Sequence, residues 1–266
     1  MTDWAAFVGL TVVVLCSLLV LARLSQESVG TVTRADGSVG SVSLTEFDPP
    51  SDRAASRADG GTLTPPSEYG TGTLLVNVAL SQGVFAAALV AAAWYTQIPL
   101  PALGVDPAVP LSTGLPALGV GVAAGVGLYL LNALGAASAP AFGIEADDTL
   151  RELLTPESPG GWVLLLGGVL PLIAGFEELL FRAALVGVPA VGFGLSPWLL
   201  AVGASVAFAF GHGAQGRAGI VVTGVLGFAL AAVFVVTNSF LAVVVAHYLV
   251  NALEFVVGGY FEVELA

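Results

Sequence analysis

Long apolar stretches alternate with shorter polar segments along most of this chain. Each stretch approaches the roughly twenty residues that an α-helix needs to cross the hydrocarbon core of a bilayer. The strict apolar–polar alternation that marks a membrane β-barrel does not occur. The pattern therefore predicts an all-α fold, a polytopic transmembrane helix bundle with about seven spans. These spans are predicted over residues 4–22, 73–95, 114–134, 161–186, 197–213, 217–236 and 240–259.

The polar segments divide the chain into three parts. Residues 1–23 form the first transmembrane helix, residues 24–71 a polar and largely mobile loop, and residues 72–266 the remainder of the bundle. The loop is rich in Ser, Thr, Gly, Asp and Pro, a composition that buries too little apolar surface to fold. Within it, only residues 39–47 suit a short strand or hairpin. A short interfacial helix is predicted over residues 145–157, before the fourth span.

Composition agrees with a multi-pass protein of the cell membrane and narrows its partners. Of the 266 residues, 56% are hydrophobic and 10% charged, and the mean hydropathy is +0.94. A formal net charge of -12 excludes a nucleic-acid partner and leaves the lipid bilayer as the expected surroundings. All seven basic residues are arginine, and acidic loops without lysine suit very high salt, so we hypothesise a halophilic protein. With Cys16 as the only cysteine, a cysteine-based metal site within one chain is excluded.

Three charged side chains interrupt the fourth apolar stretch. Glu177, Glu178 and Arg182 lie in a segment that is otherwise apolar enough to span a membrane. Charges at that depth are costly unless they are paired or hydrated, so they indicate a function. Glu178 and Arg182 are four residues apart and share a helix face, whereas Glu177 is turned away by about 100°. This spacing predicts a structural ion pair between Glu178 and Arg182 and leaves Glu177 as the working carboxylate.

The fifth predicted span carries the first of the two histidines. His212 follows Phe208 by four residues, so the phenyl ring can pack on the imidazole and fix its rotamer. Glu177 and His212 are equidistant from the turn signal at residues 192–197. In an antiparallel hairpin, residues equidistant from the turn lie at the same membrane depth. Glu177 and His212 are therefore expected to meet inside the membrane.

The last span carries the second histidine. His247 and Asn251 share a helix face, and Glu254 lies three residues further on. A membrane helix face with an imidazole, a carboxamide and a carboxylate should point into the bundle.

The charged and polar residues form three motifs in chain order: EExxxR at residues 177–182, FxxxH at residues 208–212 and HxxxN at residues 247–251. In this order, on successive membrane helices, they resemble the motifs of the CPBP family, which comprises the CAAX prenyl endopeptidases and their bacteriocin-processing or immunity relatives. The resemblance covers roughly residues 160–260. Each motif alone is common, so the combination carries the resemblance.

The resemblance implies an intramembrane endopeptidase of the CAAX type. Its substrate would be a membrane-embedded or lipidated peptide or protein, typically prenylated and cut near its carboxyl end. By analogy, Glu177 would act as the general base that activates water, assisted by His212, and His247 with Asn251 would stabilise the oxyanion or bind a metal. The catalytic set that the resemblance implies is Glu177, Glu178, Arg182, His212, His247 and Asn251.

The sequence leaves the cofactor and two other functions open. Glu177, His212 and His247 could equally be three Zn²⁺ ligands with an open fourth position, although the HExxH motif of many metalloproteases is missing. The same carboxylates and histidines could relay protons in an ion-coupled transporter, but the chain lacks two similar halves with discontinuous helices. A third alternative is a non-catalytic immunity or scaffold protein of the membrane.

Overall fold

The computed structural model describes residues 1–36, 71–138, 149–213 and 216–260, and the regular structure within these ranges is helical throughout. The predicted polytopic helix bundle is thus confirmed. Within the described ranges, six helices are long and apolar enough to cross a membrane, and one apolar helix is shorter. We label the helices α1 (Trp4–Asp36), α2 (Thr71–Tyr95), α3 (Leu115–Ser138), α4 (Thr149–Leu154), α5 (Pro159–Phe193), α6 (Pro197–Gly211), α7 (Gly216–Thr237) and α8 (Phe240–Phe255, continued by wider turns over Val256–Tyr260).

The helices agree with the predicted spans except at two places. Helix α1 does not end near residue 23 but continues to Asp36, because each further residue of an established helix adds one backbone hydrogen bond. The shorter apolar helix is α6, whose 15 residues rise about 22 Å. The predicted interfacial helix corresponds to α4, and the predicted hairpin at residues 39–47 lies outside the described residues.

Helix α5 contains two segments of wider, π-helical turns, over Leu165–Val169 and Leu179–Gly187. Each segment ends two residues before a proline, Pro171 or Pro189. Proline lacks an N–H group, and its ring collides with the carbonyl of the preceding turn, so the turns ahead of it widen to accommodate it. The second segment begins directly after Glu178 and contains Arg182. Wide turns of this kind occur frequently at functional sites.

Two glycines of α3 bring this helix close to α8. A Cβ atom on Gly121 would lie 2.7 Å from the carbonyl oxygen of Ala242, and one on Gly125 would lie 2.8 Å from that of Ala246. Side chains at these positions would separate the helices, so the glycine spacing of four residues allows their backbones to touch, as in other membrane helix pairs. This contact fixes the position of the turn of α8 that carries His247.

Helix α2 runs along α5 and closes the other side of the bundle. Phe85 stacks on Phe176 with 6.1 Å between ring centroids. Leu89 is fully buried against Phe176 and belongs to an apolar cluster that also contains Leu180, Phe181 and Phe208. Large apolar side chains such as Leu199 cover the outside of the bundle, where lipid would surround them. The charged residues of α5 therefore lie between apolar layers on both sides.

Candidate active site

Glu178 is the junction of the buried polar cluster. Its side chain is fully buried, and its Oε1 atom accepts two hydrogen bonds, from Arg182 Nη1 at 2.8 Å and from His247 Nδ1 at 2.7 Å. The predicted pair of Glu178 with Arg182 is therefore present. Sequence spacing did not indicate the bond to His247, because it joins α5 to α8 across 69 positions of the chain. Glu178 thereby fixes which imidazole nitrogen faces away from it.

Three neighbouring groups compensate the positive charge of Arg182. Its side chain is 1% exposed, and besides the bond to Glu178 its Nη2 donates to the carbonyl oxygen of Gly227 at 2.9 Å. Its Cζ atom lies 4.8 Å from the centre of the Phe208 ring, a cation–π contact. A buried guanidinium needs such partners because its transfer from water is costly. Arg182 therefore has the surroundings of a structural cation.

Glu177 differs from Glu178 in lacking a close donor. It is 9% exposed, and its Oε2 atom lies 3.6 Å from His247 Nε2, beyond hydrogen-bonding distance. This buried oxygen has no hydrogen-bond partner in the described part of the chain. A buried acceptor without a partner is rare in native proteins and indicates that water or another molecule supplies the missing donor. Oε2 of Glu178 is likewise without a partner among the described residues, but Glu178 is fully buried, so Glu177 is the more accessible of the two carboxylates.

The buried cluster combines two carboxylates with two basic side chains. Arg182 and Glu178 form an ion pair at 2.8 Å, and Glu177 lies 3.6 Å from His247. Groups of opposite charge placed close together lower the cost of burying each of them.

Phe208 lies between the two imidazole rings. Its ring centroid is 4.5 Å from that of His212, as the FxxxH spacing predicts, and 6.1 Å from that of His247. The Nδ1 atom of His212 lies 2.9 Å from the carbonyl oxygen of Phe208. A carbonyl can only accept, so Nδ1 carries the proton and the neutral ring keeps a free lone pair on Nε2. Half-buried at the end of α6, His212 can offer this nitrogen as an acceptor.

The expected meeting of Glu177 and His212 takes a different form in the structure. The two residues make no hydrogen bond or ion pair with each other, and the described contacts of Glu177 lead to His247 instead. The hairpin prediction assumed that α5 is a regular helix. Its wide turns over Leu179–Gly187 lie between Glu177 and the turn at Gly194, so they change the direction in which Glu177 points relative to α6. The ring of Phe208 contacts both histidines.

Asn251 lies one turn beyond His247 on α8 and is half-buried. Its side chain makes no hydrogen bond to another described residue, so the carboxamide is available as a donor. Glu254, which the sequence left without a role, faces α3, where Asn132 Nδ2 lies 3.5 Å from its Oε1.

The zinc ligand set suggested by the sequence is not assembled here. Across residues 1–36, 71–138, 149–213 and 216–260, no group of three or more His, Cys, Asp or Glu side chains is placed to hold a metal ion. As arranged in the described residues, Glu177, His212 and His247 therefore do not fit a shared metal.

Sequence reasoning also missed a polar side chain with a buried atom, Gln82 of α2. Its Oε1 atom is buried and has no hydrogen-bond partner among the described residues. Gln82 lies seven residues from both Leu75 and Leu89, which are buried against α5, so it occupies the same helix face. An amide within a predicted apolar span was the available signal, but uniform hydrophobicity hid which face of α2 is internal.

Part of the chain matches a known protein family. A family model described as type II CAAX prenyl endopeptidase Rce1-like matches residues 159–253. The match runs from the start of α5 into the last turns of α8 and includes all three motifs. No curated protein and no solved structure matches the chain.

Proposed function

We propose that Glu177 is the general base of this intramembrane protease of the CAAX type. Residues 159–253 match the Rce1-like family of type II CAAX prenyl endopeptidases. The observation that supports this role is the buried, unpartnered Oε2 of Glu177 beside Nε2 of His247. Glu178, by contrast, has its Oε1 committed to Arg182 and His247. Oε2 of Glu178 also lacks a hydrogen-bond partner among the described residues, but Glu178 is fully buried, whereas Glu177 is 9% exposed and is the carboxylate that water reaches more easily.

The proposed reaction is direct hydrolysis by one water molecule. Water donates a hydrogen bond to Glu177 Oε2, which removes its proton as the oxygen attacks the carbonyl carbon of the substrate. The tetrahedral intermediate collapses when Glu177 returns this proton to the nitrogen of the leaving amine, and the C–N bond breaks. The new carboxyl group keeps the water oxygen, and Glu177 ends as a carboxylate again.

His247 and Asn251 are proposed to stabilise the oxyanion of the intermediate. Glu178 orients His247 through Nδ1, so that Nε2 is held on the side of Glu177. In its protonated form His247 donates from Nε2, and the unengaged carboxamide of Asn251 one turn away supplies a second donor. His212 is proposed to accept the other hydrogen of the attacking water through the free lone pair of Nε2.

The proposed substrate is a membrane-associated peptide that carries a lipid group near its carboxyl end. Glu177 lies close to the middle of α5, 18 residues after Pro159 and 16 before Phe193 by subtraction of their numbers. A peptide bond must therefore enter the bilayer to reach it, and a buried lipid group stabilises a segment at this depth by about 0.8 kcal/mol per CH₂. The family description supports a prenyl group as that lipid.

Oxyanion stabilisation can be tested by replacing the proposed donors. We expect His247→Ala and Asn251→Ala to lower kcat on a fluorogenic, farnesylated peptide by about 10²-fold each, while KM changes little. Asn132→Ala is the matched control, because this asparagine lies beside Glu254, seven residues and about 10 Å along α8 from His247, and its kcat should equal that of the wild type. An Asn251→Ala enzyme with unchanged kcat would exclude this residue as a donor. For the wild type and for every variant, KM should be higher for the non-lipidated peptide than for the farnesylated one.

Removal of metal ions gives a second test of the proposed chemistry. The donor arrangement leads us to expect that dialysis of the detergent-solubilised protein against a strong chelator leaves kcat within about twofold of its starting value. Added Zn²⁺ should not raise it. Loss of turnover on chelation, with recovery at one equivalent of Zn²⁺, would show that Glu177, His212 and His247 rearrange around a metal.

A further inference from the structure

Helix α7 contributes to the site although it carries none of the three motifs. Gly227, in the middle of α7, is buried and accepts the hydrogen bond from Arg182 Nη2 at 2.9 Å. This bond connects α7 to the charged cluster of α5. The Cζ atom of the same guanidinium lies 4.8 Å from the centre of the Phe208 ring.

The missing side chain of Gly227 matters as much as its carbonyl. A Cβ atom built on Gly227 would lie 2.9 Å from Cδ1 of Phe208 and 3.6 Å from Nη2 of Arg182. The first separation is closer than carbon atoms approach without repulsion. An alanine here would therefore push the Phe208 ring.

The Phe208 ring has little freedom to yield. It is 4% exposed, and Phe181 meets it edge-on with 4.9 Å between centroids. His212 and His247 contact other parts of the same ring, at 4.5 and 6.1 Å between centroids. In a closely packed interior a displacement passes to the neighbours. A shift of Phe208 would thus reach both imidazoles.

We propose that Gly227 is a positioning residue of the protease, which seats the Phe208 ring between His212 and His247 and anchors Arg182. It acts through these side chains and does not touch the reacting atoms. The proposal rests on the proposed function for its effect on turnover, whereas its structural part concerns only the placement of the two imidazoles. A misplacement of catalytic groups by about 1 Å can lower turnover by about 10²-fold.

The chain offers a matched control on the same helix. Gly224 lies one turn before Gly227, and a Cβ on it would meet Cβ of Ala209 at 3.4 Å, an ordinary van der Waals contact. Alanine improves helix propensity equally at both positions, so a difference between the two variants reports the contact with Phe208. We expect Gly227→Ala to lower kcat by about 10-fold or more with little change in KM, and Gly224→Ala to remain within about twofold of wild type.

The two histidines allow a measurement that is independent of activity. Because the chain contains only His212 and His247, a protein labelled with ¹⁵N-histidine gives imidazole NMR signals from these two rings alone. We expect Gly227→Ala to shift the signals of both rings and Gly224→Ala to shift neither. If both variants leave the signals in place, or shift them equally, the proposal is wrong. Absence of proteolysis in the wild type would count against the proposed function only, since the NMR comparison would still decide the role of Gly227.

A double variant separates steric displacement from loss of the fold. Leucine at position 208 is smaller than phenylalanine and leaves space for a Cβ at position 227. In a Phe208→Leu background, which is itself expected to be slower, Gly227→Ala should lower kcat by less than about twofold further. A full, undiminished effect of Gly227→Ala in that background would overturn the proposal that it acts through the ring.

Discussion

Replacement of Glu177 by Gln is expected to lower kcat by about 10³-fold or more while the protein stays folded, because the amide cannot remove a proton from water. Gln fills almost the same space as Glu and can still face His247, so KM should change little. The measurement is turnover of a farnesylated peptide in detergent, with circular dichroism and thermal unfolding to follow the fold. Glu157→Gln makes the same chemical change at an exposed position before α5 and should leave kcat unchanged.

Retained turnover in the Glu177→Gln variant would end the general-base proposal. The same variant also distinguishes a protease from an ion-coupled transporter or a scaffold protein. New carboxyl ends in the membrane proteome should appear in cells with the wild-type protein and be missing with Glu177→Gln. An unchanged set of carboxyl ends would instead favour the non-catalytic alternative.

The second large effect is expected on stability, at the pair of Glu178 and Arg182. Removing one partner leaves a charge buried without compensation, which costs about 3–5 kcal/mol in free energy of unfolding. We therefore expect Arg182→Met and Glu178→Gln each to unfold at markedly lower temperature or denaturant concentration. Replacing both residues together removes both charges, and such double replacements are often close to neutral.

The double variant should thus recover most of the stability that either single variant loses. Gln at position 178 can still accept from His247 Nδ1, so the orientation of the imidazole is retained while the charge of the pair is lost. If the losses of the two single variants simply add in the double variant, the residues are not energetically coupled and the account of the cluster fails. Thermal unfolding in detergent of the four proteins makes this comparison.

The sequence predicts the helices of this fold well because their signal is strong. Continuous apolar runs need helices to satisfy the backbone in a bilayer, and the turns lie at Gly and Pro residues. Spacing of four residues correctly predicts the pair of Glu178 with Arg182 and the packing of Phe208 on His212, since both depend only on the geometry of a single helix.

Contacts between helices are harder to predict from the spacing of residues along the chain. The bond from His247 to Glu178, rather than to Glu177, depends on how α8 is rotated against α5, and that rotation depends on the close contact of Gly121 and Gly125 with α8. The wide turns of α5 alter the register in a way that periodicity does not reveal. Gly227 escapes any search for reactive side chains, because its contribution consists of a carbonyl oxygen and an empty space.

The most direct measurement is an experimental structure, in a lipid nanodisc, with a farnesylated peptide whose scissile amide is replaced by a hydroxyethylene group. The hydroxyl of that group imitates the tetrahedral intermediate. Our account predicts this hydroxyl within about 2.6–3.2 Å of Glu177 Oε2, with Nε2 of His247 as a second partner. A hydroxyl bound to Glu178, or held away from both Glu177 and His247, would contradict it.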